Sequence, residues 1–191
     1  MDPRKSIITI VLIASTFILP TVQAASVYLT PALQTVPSTD GTAILELFMD
    51  FTGEPTLGGG IDLALSGPIS IASFTPSAYF NTALDPFFSG FGTAQADADF
   101  EVHFGNFAGL GGLNKLGDLT INLLGGGITS IAMNINSTFG EFFDIGSAPQ
   151  AVTLSGANIN ISAVPVPAAI WFFASALGLL GGFRRLMHKS S

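Results

Sequence analysis

The chain has 191 residues, with 13 acidic against 6 basic side chains and a net charge of −7. An acidic protein repels nucleic acid and anionic lipid headgroups, so neither is expected as a partner. Cysteine is absent, which excludes disulfides and a thiol nucleophile.

The first 24 residues have the three parts of a secretory signal peptide. A basic start precedes an apolar helical core over residues 7–19, and Val22-Gln23-Ala24 supplies small residues for cleavage. We predict that signal peptidase cuts between Ala24 and Ala25 and that the chain is exported. An uncleaved membrane anchor is the alternative, although the apolar core is short for a span.

Residues 25–163 form one predicted domain, in which apolar and polar side chains alternate at period two between Gly, Pro, Asn and Asp breaks. Phe100, Val102 and Phe104 share one face of a strand, and Glu101 and His103 share the other. The nine predicted strands are 26–29, 43–51, 60–65, 69–74, 100–104, 119–123, 130–135, 151–154 and 158–161. This pattern predicts an all-β fold, a two-layer antiparallel β-sandwich.

The alternation fails between Ser77 and Ala98, which predicts an irregular, aromatic-rich loop with a helical turn. We expect Phe87, Phe88 and Phe91 to fold back onto the core. The alternative is an exposed aromatic binding patch.

The start of the domain carries a resemblance to a known fold. In order it reads Val27-Tyr28-Leu29-Thr30-Pro31, a turn at Asp40-Gly41, a strand to Phe51, the run Gly58–Gly60, and a strand from Ile61 to Leu65. This order resembles the opening of cohesin-like domains, which are jelly-roll sandwiches. The resemblance implies protein or glycan binding.

Three carboxylates alternate in Asp97-Ala98-Asp99-Phe100-Glu101. Side chains two residues apart on a strand lie on one face, about 7 Å from each other. Asp97, Asp99 and Glu101 are therefore either a solvated acidic edge, which discourages aggregation, or a Ca²⁺ site formed by rearrangement of the loop. The simpler interpretation is the acidic edge, and no cofactor is expected.

Catalytic residues are scarce in the domain. His103 is its one histidine, expected on the outer surface of a strand, and neither a GxSxG motif nor a histidine pair for zinc is present. The domain has 12 acidic residues against one basic residue, Lys115, which gives a net charge of −11. No two of these acids are singled out as a glycosidase pair. We predict that the protein is not an enzyme.

The C-terminal 28 residues read as a membrane tether. Val166 to Phe183 is uncharged, and its 18 residues cover about 27 Å as a helix, against about 30 Å of hydrocarbon. We predict a transmembrane helix over 168–183, with Trp171 near the interface and Arg184 and Arg185 in the cytoplasm. A buried core helix is the alternative.

The same tail carries a sorting motif. It contains Val164-Pro165-Val166-Pro167-Ala168-Ala169, then Trp171, and ends with Arg184-Arg185. It resembles the PEP-CTERM sorting signal in the variant V-P-x-P-A-A-x-W-L-F-x-S-G-L-x-G-L-x-G-x-x-R-R. Val166 stands where the name-giving Glu would be, and Phe172 and Ala176 replace a Leu and a Gly.

The PEP-CTERM resemblance implies a Gram-negative host with an exopolysaccharide system and an exosortase that recognises residues 164–167. The inner membrane would hold the chain in transit, and the domain would then reach the cell surface or the medium. We therefore expect a noncatalytic surface or extracellular-matrix protein, with exopolysaccharide as a neighbour. The alternative is a secreted glycan- or protein-binding module, or a glycan-acting enzyme.

Overall fold

The computed structural model describes residues 24–37, 41–93, 98–162 and the four positions 172, 173, 175 and 176. Eleven strands and one short helix form between residues 24 and 162 of this described part, and the four further positions are helical. The elements in chain order are β1 Ser26–Thr30, β2 Leu33–Pro37, β3 Thr42–Ser66, β4 Ile69–Pro76, α1 Ala78–Ala83, β5 Gly90–Gly92, β6 Phe100–Leu123, β7 Gly127–Ile135, β8 Phe142–Asp144, β9 Pro149–Gln150, β10 Thr153–Ser155 and β11 Ala157–Ser162. The all-β prediction is confirmed.

Two long strands, β3 and β6, run through both layers of the sandwich. They pair antiparallel from Thr42 opposite Asn122 to Leu63 opposite Phe100, with irregular register between Phe51 and Gly58. The first half of β3 also pairs with β1, and its last six residues pair with β7. The sheet therefore folds over at the irregular stretch, and each long strand belongs to both layers.

The two halves of the folded sheet face each other across one core. Leu45, Leu47 and Met49 point inward from the first half of β3, and Ile61 and Leu63 point inward from the second half; all five are buried. The predicted alternation on β6 is confirmed for Val102 and Phe104, which are buried, whereas Phe100 on the same face is partly buried. Leu119 and Ile121, farther along β6, are buried as well. Removal of these apolar side chains from water stabilises the sandwich.

The structure differs from the predicted strands in three respects. The segments 43–51 and 60–65 belong to one strand, as do 100–104 and 119–123, and the predicted strand 151–154 is β10, at Thr153–Ser155. Four short strands, β2, β5, β8 and β9, were not predicted. β5, β8 and β9 have only two or three residues, and in β2 the apolar residues Leu33 and Val36 are three positions apart rather than two. The sandwich is also not purely antiparallel, since β1 pairs parallel with β10 and β11 pairs parallel with β2.

The irregular excursion contains the predicted helical turn. Ser77 caps α1, because its hydroxyl accepts a hydrogen bond from the Phe80 amide at 3.1 Å. The same hydroxyl donates to the Lys115 carbonyl of β6, which ties the start of the helix to the sheet.

Both terminal predictions fall largely outside the described residues. The signal peptide lies outside them except for Ala24, and the sorting tail lies outside them except for residues 172, 173, 175 and 176. Within the described part of the chain, no helix combines the length and the hydrophobicity that a membrane crossing needs.

The last strand sets where the chain leaves the sandwich. Ile161 of β11 lies opposite Gly127 at the start of β7, whereas the Asn136 amide, just past the end of β7, donates to the Gly60 carbonyl. Gly127 and Asn136 are nine residues apart, about 30 Å at roughly 3.3 Å per residue. Ser162 and Asn136 therefore lie at opposite ends of the sandwich.

Candidate functional site

A groove lined by aromatic rings lies at the Asn136 end of the sandwich. Its volume is about 350 Å³, and its floor is formed by Gly58 and Gly59 of β3 and by Gly105 of β6. We call it the aromatic groove. Its other lining residues are Leu57, Phe88, His103, Phe104, Asn106, Phe107, Phe139, Glu141, Phe143 and Ser147.

The floor requires glycine because the backbones of β3 and β6 approach closely there. Gly58 has φ +125°, and a Cβ at this position would lie far inside contact distance of the Phe104 carbonyl oxygen. A Cβ on Gly105 would lie 3.0 Å from the Leu57 carbonyl oxygen. The groove is therefore floored by backbone, and the surrounding rings form its walls.

Several rings of the groove and its rim are exposed to solvent. Phe107 is 73 % exposed and Phe87 is 87 % exposed, and Phe88, Phe139 and Phe143 are each more than a third exposed. Phe88 meets Phe107 edge to face, with ring centroids 4.7 Å apart. Scattered exposed apolar side chains are ordinary, whereas several exposed rings around one groove are typical of interaction surfaces.

The prediction that the excursion folds back onto the core is wrong for Phe87 and Phe88 and correct for Phe91. Phe91 packs against Phe74, with ring centroids 4.9 Å apart, although part of it stays exposed. At Phe87 and Phe88 the chain forms a local turn, in which the Asp85 carboxylate accepts a hydrogen bond from the Phe87 amide at 2.9 Å. This local turn directs the two neighbouring rings outward.

Hydrogen bonds to Gly105 hold Phe88 at the groove. The Asp85 amide donates to the Gly105 carbonyl at 2.9 Å, and the Ser89 hydroxyl accepts from the Gly105 amide at 3.1 Å. The loop is thus fixed to β6 on both sides of Phe88. The structure brings together residues from the excursion, β3, β6 and the segment after β7, which no local sequence pattern connects.

A buried asparagine positions Phe139. The Asn136 side-chain oxygen accepts hydrogen bonds from the Thr138 and Phe139 amides at 2.8 and 2.6 Å. Its amide nitrogen donates to the Asp62 carboxylate at 2.6 Å and to the Glu101 carboxylate at 3.2 Å. Asp62 and Glu101 face each other across β3 and β6, so the one amide bridges two like charges.

His103 stacks under Phe139, with ring centroids 3.7 Å apart. His103 lies on the outer face of β6, as predicted, but Phe139 covers its ring. Burial lowers the pKa of His103 from its usual 6.5, and the charge of Glu101 partly opposes this shift. A neutral imidazole against a phenyl ring makes this wall of the groove largely apolar.

The acidic triplet does not form a cluster within the described residues. Asp97 lies outside them, the Asp99 carboxylate accepts from the Leu65 amide at 2.6 Å, and Glu101 is bonded to Asn136. Across residues 24–37, 41–93 and 98–162, no three His, Asp or Glu side chains stand close enough to hold a metal ion. The acidic edge stays the prediction for these residues, and the Ca²⁺ site stays its alternative.

The basic residue of the domain is engaged away from the groove. Lys115 forms ion pairs with Glu46 at 2.5 Å and Asp118 at 2.7 Å. Its hydrogen bonds to Asp118 and Glu46 raise the pKa of Lys115 above its usual value. Glu141 therefore lines the groove with no basic side chain beside it among the lining residues.

The architecture is a two-layer β-sandwich, and the solved structures to which it is similar include cohesin modules. The seventh ScaB type I cohesin of Pseudobacteroides cellulosolvens is 6 % identical, with a TM-score of 0.57 over 75 % of this chain and 96 % of that chain. A type I cohesin in a cohesin–dockerin complex from Clostridium thermocellum is 13 % identical, with a TM-score of 0.55 over 74 % and 95 %.

A non-cellulosomal cohesin from the archaeon Archaeoglobus fulgidus is also similar, at 10 % identity and a TM-score of 0.53 over 73 % of this chain and 92 % of that chain. At such identities the likeness is one of fold. No protein-family model matches the sequence, and no curated protein matches it. The described domain thus has a cohesin-like fold, as the order of its first strands predicted.

Proposed function

We propose that this chain is an exported, noncatalytic binding module of the cell surface or extracellular matrix, and that the aromatic groove is its binding surface. The observation that carries the proposal is the set of exposed rings on a glycine floor. Burial of exposed aromatic rings at a partner's surface yields large binding energies, and such rings dominate the energetics of protein interfaces. The cohesin-like fold supports a protein as the partner, since one of the similar cohesins was solved with a dockerin.

The tail supplies the proposed route to the surface. The resemblance of residues 164–185 to the PEP-CTERM signal supports processing by an exosortase after signal peptidase has cut at Ala24. Because Ser162 leaves the sandwich about 30 Å from the groove, a chain held by its C-terminus directs the groove away from the membrane. The exopolysaccharide would surround the domain, and its acidic surface would keep it soluble there.

Mass spectrometry of the chain that accumulates outside the producing cells tests the processing. We expect an N-terminus at Ala25 and a C-terminus between Val164 and Pro167. Deletion of the host exosortase, or the double substitution Pro165→Ala and Pro167→Ala, should leave the tail attached. Recovery of the chain with both terminal segments intact from wild-type cells would contradict this route.

Photo-crosslinking tests the binding surface. Replacement of Phe107 by p-benzoylphenylalanine in the exporting host should give a covalent adduct with one discrete macromolecule on the cell surface. Ile128 is 80 % exposed at the opposite end of the sandwich, so the same replacement there is the matched control and should give none. Adducts from position 128 but not from position 107 would place the binding surface elsewhere.

A further inference from the structure

We infer that the aromatic groove takes a cationic, apolar segment of a protein partner, in which apolar side chains enter between the rings and a Lys or Arg pairs with Glu141. This inference rests on the proposed function, because it names the chemistry of the partner for the same site. Three observations carry it, namely the types of ring, the charges at the groove, and the second cavity on the far side of Glu141.

The rings at the groove favour apolar and cationic groups over sugars. Phe88, Phe107, Phe139 and Phe143 line it, and no Tyr or Trp is among the lining residues in the described part of the chain. Phenylalanine has no hydroxyl or N–H group to bond to a sugar hydroxyl, whereas its face attracts aliphatic side chains and cations. The one lining ring with nitrogen atoms, His103, lies beneath Phe139.

The negative charge at the groove favours a basic residue supplied by the partner. Glu141 is exposed and lines the groove, and the domain around it has 12 acidic residues against Lys115, which Glu46 and Asp118 already bind. The electrostatic field of this excess of negative charge attracts a positively charged segment and raises its rate of association. The same field opposes a second copy of this acidic chain and an anionic membrane.

The shape of the site suits an extended segment better than a compact ligand. A second cavity of about 420 Å³ lies beside the groove and is lined by Ile135, Phe142, Pro149, Gln150 and others. Glu141 lines both cavities, so it stands between them. An extended peptide, whose side chains alternate about every 3.3 Å, can reach both cavities and place a basic residue between them.

The chain's own tail also combines apolar and basic residues, but its described aromatic residues lie in solvent. Phe172 and Phe173 are 75 % and 68 % exposed. The acidic surroundings of the groove assign the occupant to a cationic partner, and occupation by the tail is one outcome that the experiment below detects.

Fluorescence anisotropy with three labelled ten-residue peptides tests the inference on the chain purified from the exporting cells. One peptide alternates Leu with Arg, the second alternates Leu with Glu, and the third alternates Ser with Arg. We expect the Leu/Arg peptide to bind at least tenfold more tightly than either of the others. Its affinity should fall as NaCl rises from 50 to 200 mM.

Four single substitutions assign the binding to the groove. Phe107→Ala should lower the affinity for the Leu/Arg peptide about tenfold or more. Leu124 is exposed at the opposite end of the sandwich, so Leu124→Ala should leave this affinity unchanged. Glu141→Gln should weaken it about two- to fivefold and flatten the salt dependence, as expected for an exposed ion pair. Asp118→Asn removes the same charge elsewhere and should leave the affinity unchanged.

Several results would overturn the inference. If the Leu/Glu peptide binds as tightly as the Leu/Arg peptide, the groove does not select a cationic segment. If the Ser/Arg peptide binds as tightly, the groove does not select apolar side chains. Binding by the processed chain, but not by chain that keeps residues 164–191 and is purified from cells without the exosortase, shows that the tail is the occupant. If position 107 crosslinks to a surface macromolecule while no peptide binds, the proposed function stands and the partner chemistry is wrong.

Discussion

The substitution Phe142→Ala should lower the free energy of unfolding by about 3–5 kcal/mol, the usual range for removal of a fully buried aromatic ring. Phe142 has no exposed surface, and its ring centroid lies 5.8 Å from that of Phe51 and 5.7 Å from that of Phe104. A Cβ on Gly59 would lie 2.8 Å from the Phe142 ring, so this glycine makes room for it. Urea unfolding followed by circular dichroism measures the loss.

The neighbouring ring provides the control for this prediction. Phe143 is 39 % exposed, and Phe143→Ala should cost about 1 kcal/mol or less, because a half-exposed side chain loses less buried area. The two substitutions remove the same atoms one residue apart. Equal destabilisation by both would show that Phe142 does not anchor the segment after β7 to the core.

The period-two alternation was sufficient to predict the sandwich. The spacing predicts one face for Phe100, Val102 and Phe104, and the structure buries Val102 and Phe104 fully and Phe100 partly. This works because the pleat of a strand fixes which side chains share a face. The predicted resemblance to a cohesin-like fold is confirmed, although the segments on both sides of Gly58–Gly60 belong to one strand rather than two.

Most of the groove could not be predicted, because its parts meet only through distant contacts. The partners of Asn136 on β3 and β6 are 74 and 35 residues away in sequence, and no local pattern singles this asparagine out. The strand β8, which contains Phe142, has three residues and therefore shows no period. One part of the groove could be anticipated, because the sequence allowed an exposed aromatic patch at Phe87 and Phe88. Asp85, two residues before Phe87, favours the turn that exposes these rings.

The double substitution Phe107→Ala and Phe139→Ala should abolish binding to the native partner. Both rings line the groove and stand partly in solvent, so their truncation creates no large cavity in the core. A central aromatic residue of an interface commonly contributes 2 kcal/mol or more, which is about 30-fold in affinity. Two such losses place the dissociation constant about a thousandfold higher if they add.

The control for the double variant uses the opposite end of the sandwich. Leu124→Ala together with Ile128→Ala removes two exposed apolar side chains near the exit of the chain. This pair should leave binding unchanged. Urea unfolding of both double variants verifies that the fold is retained, since neither removes a buried ring.

The affinity of these two double variants for the surface of cells that lack the chain tests the central claim most directly. Purified chain is titrated onto the cells, and the bound fraction gives the dissociation constant. We expect wild-type affinity for the Leu124/Ile128 variant and no saturable binding for the Phe107/Phe139 variant. Saturable wild-type binding by a folded Phe107/Phe139 variant would contradict the assignment of the aromatic groove as the binding surface.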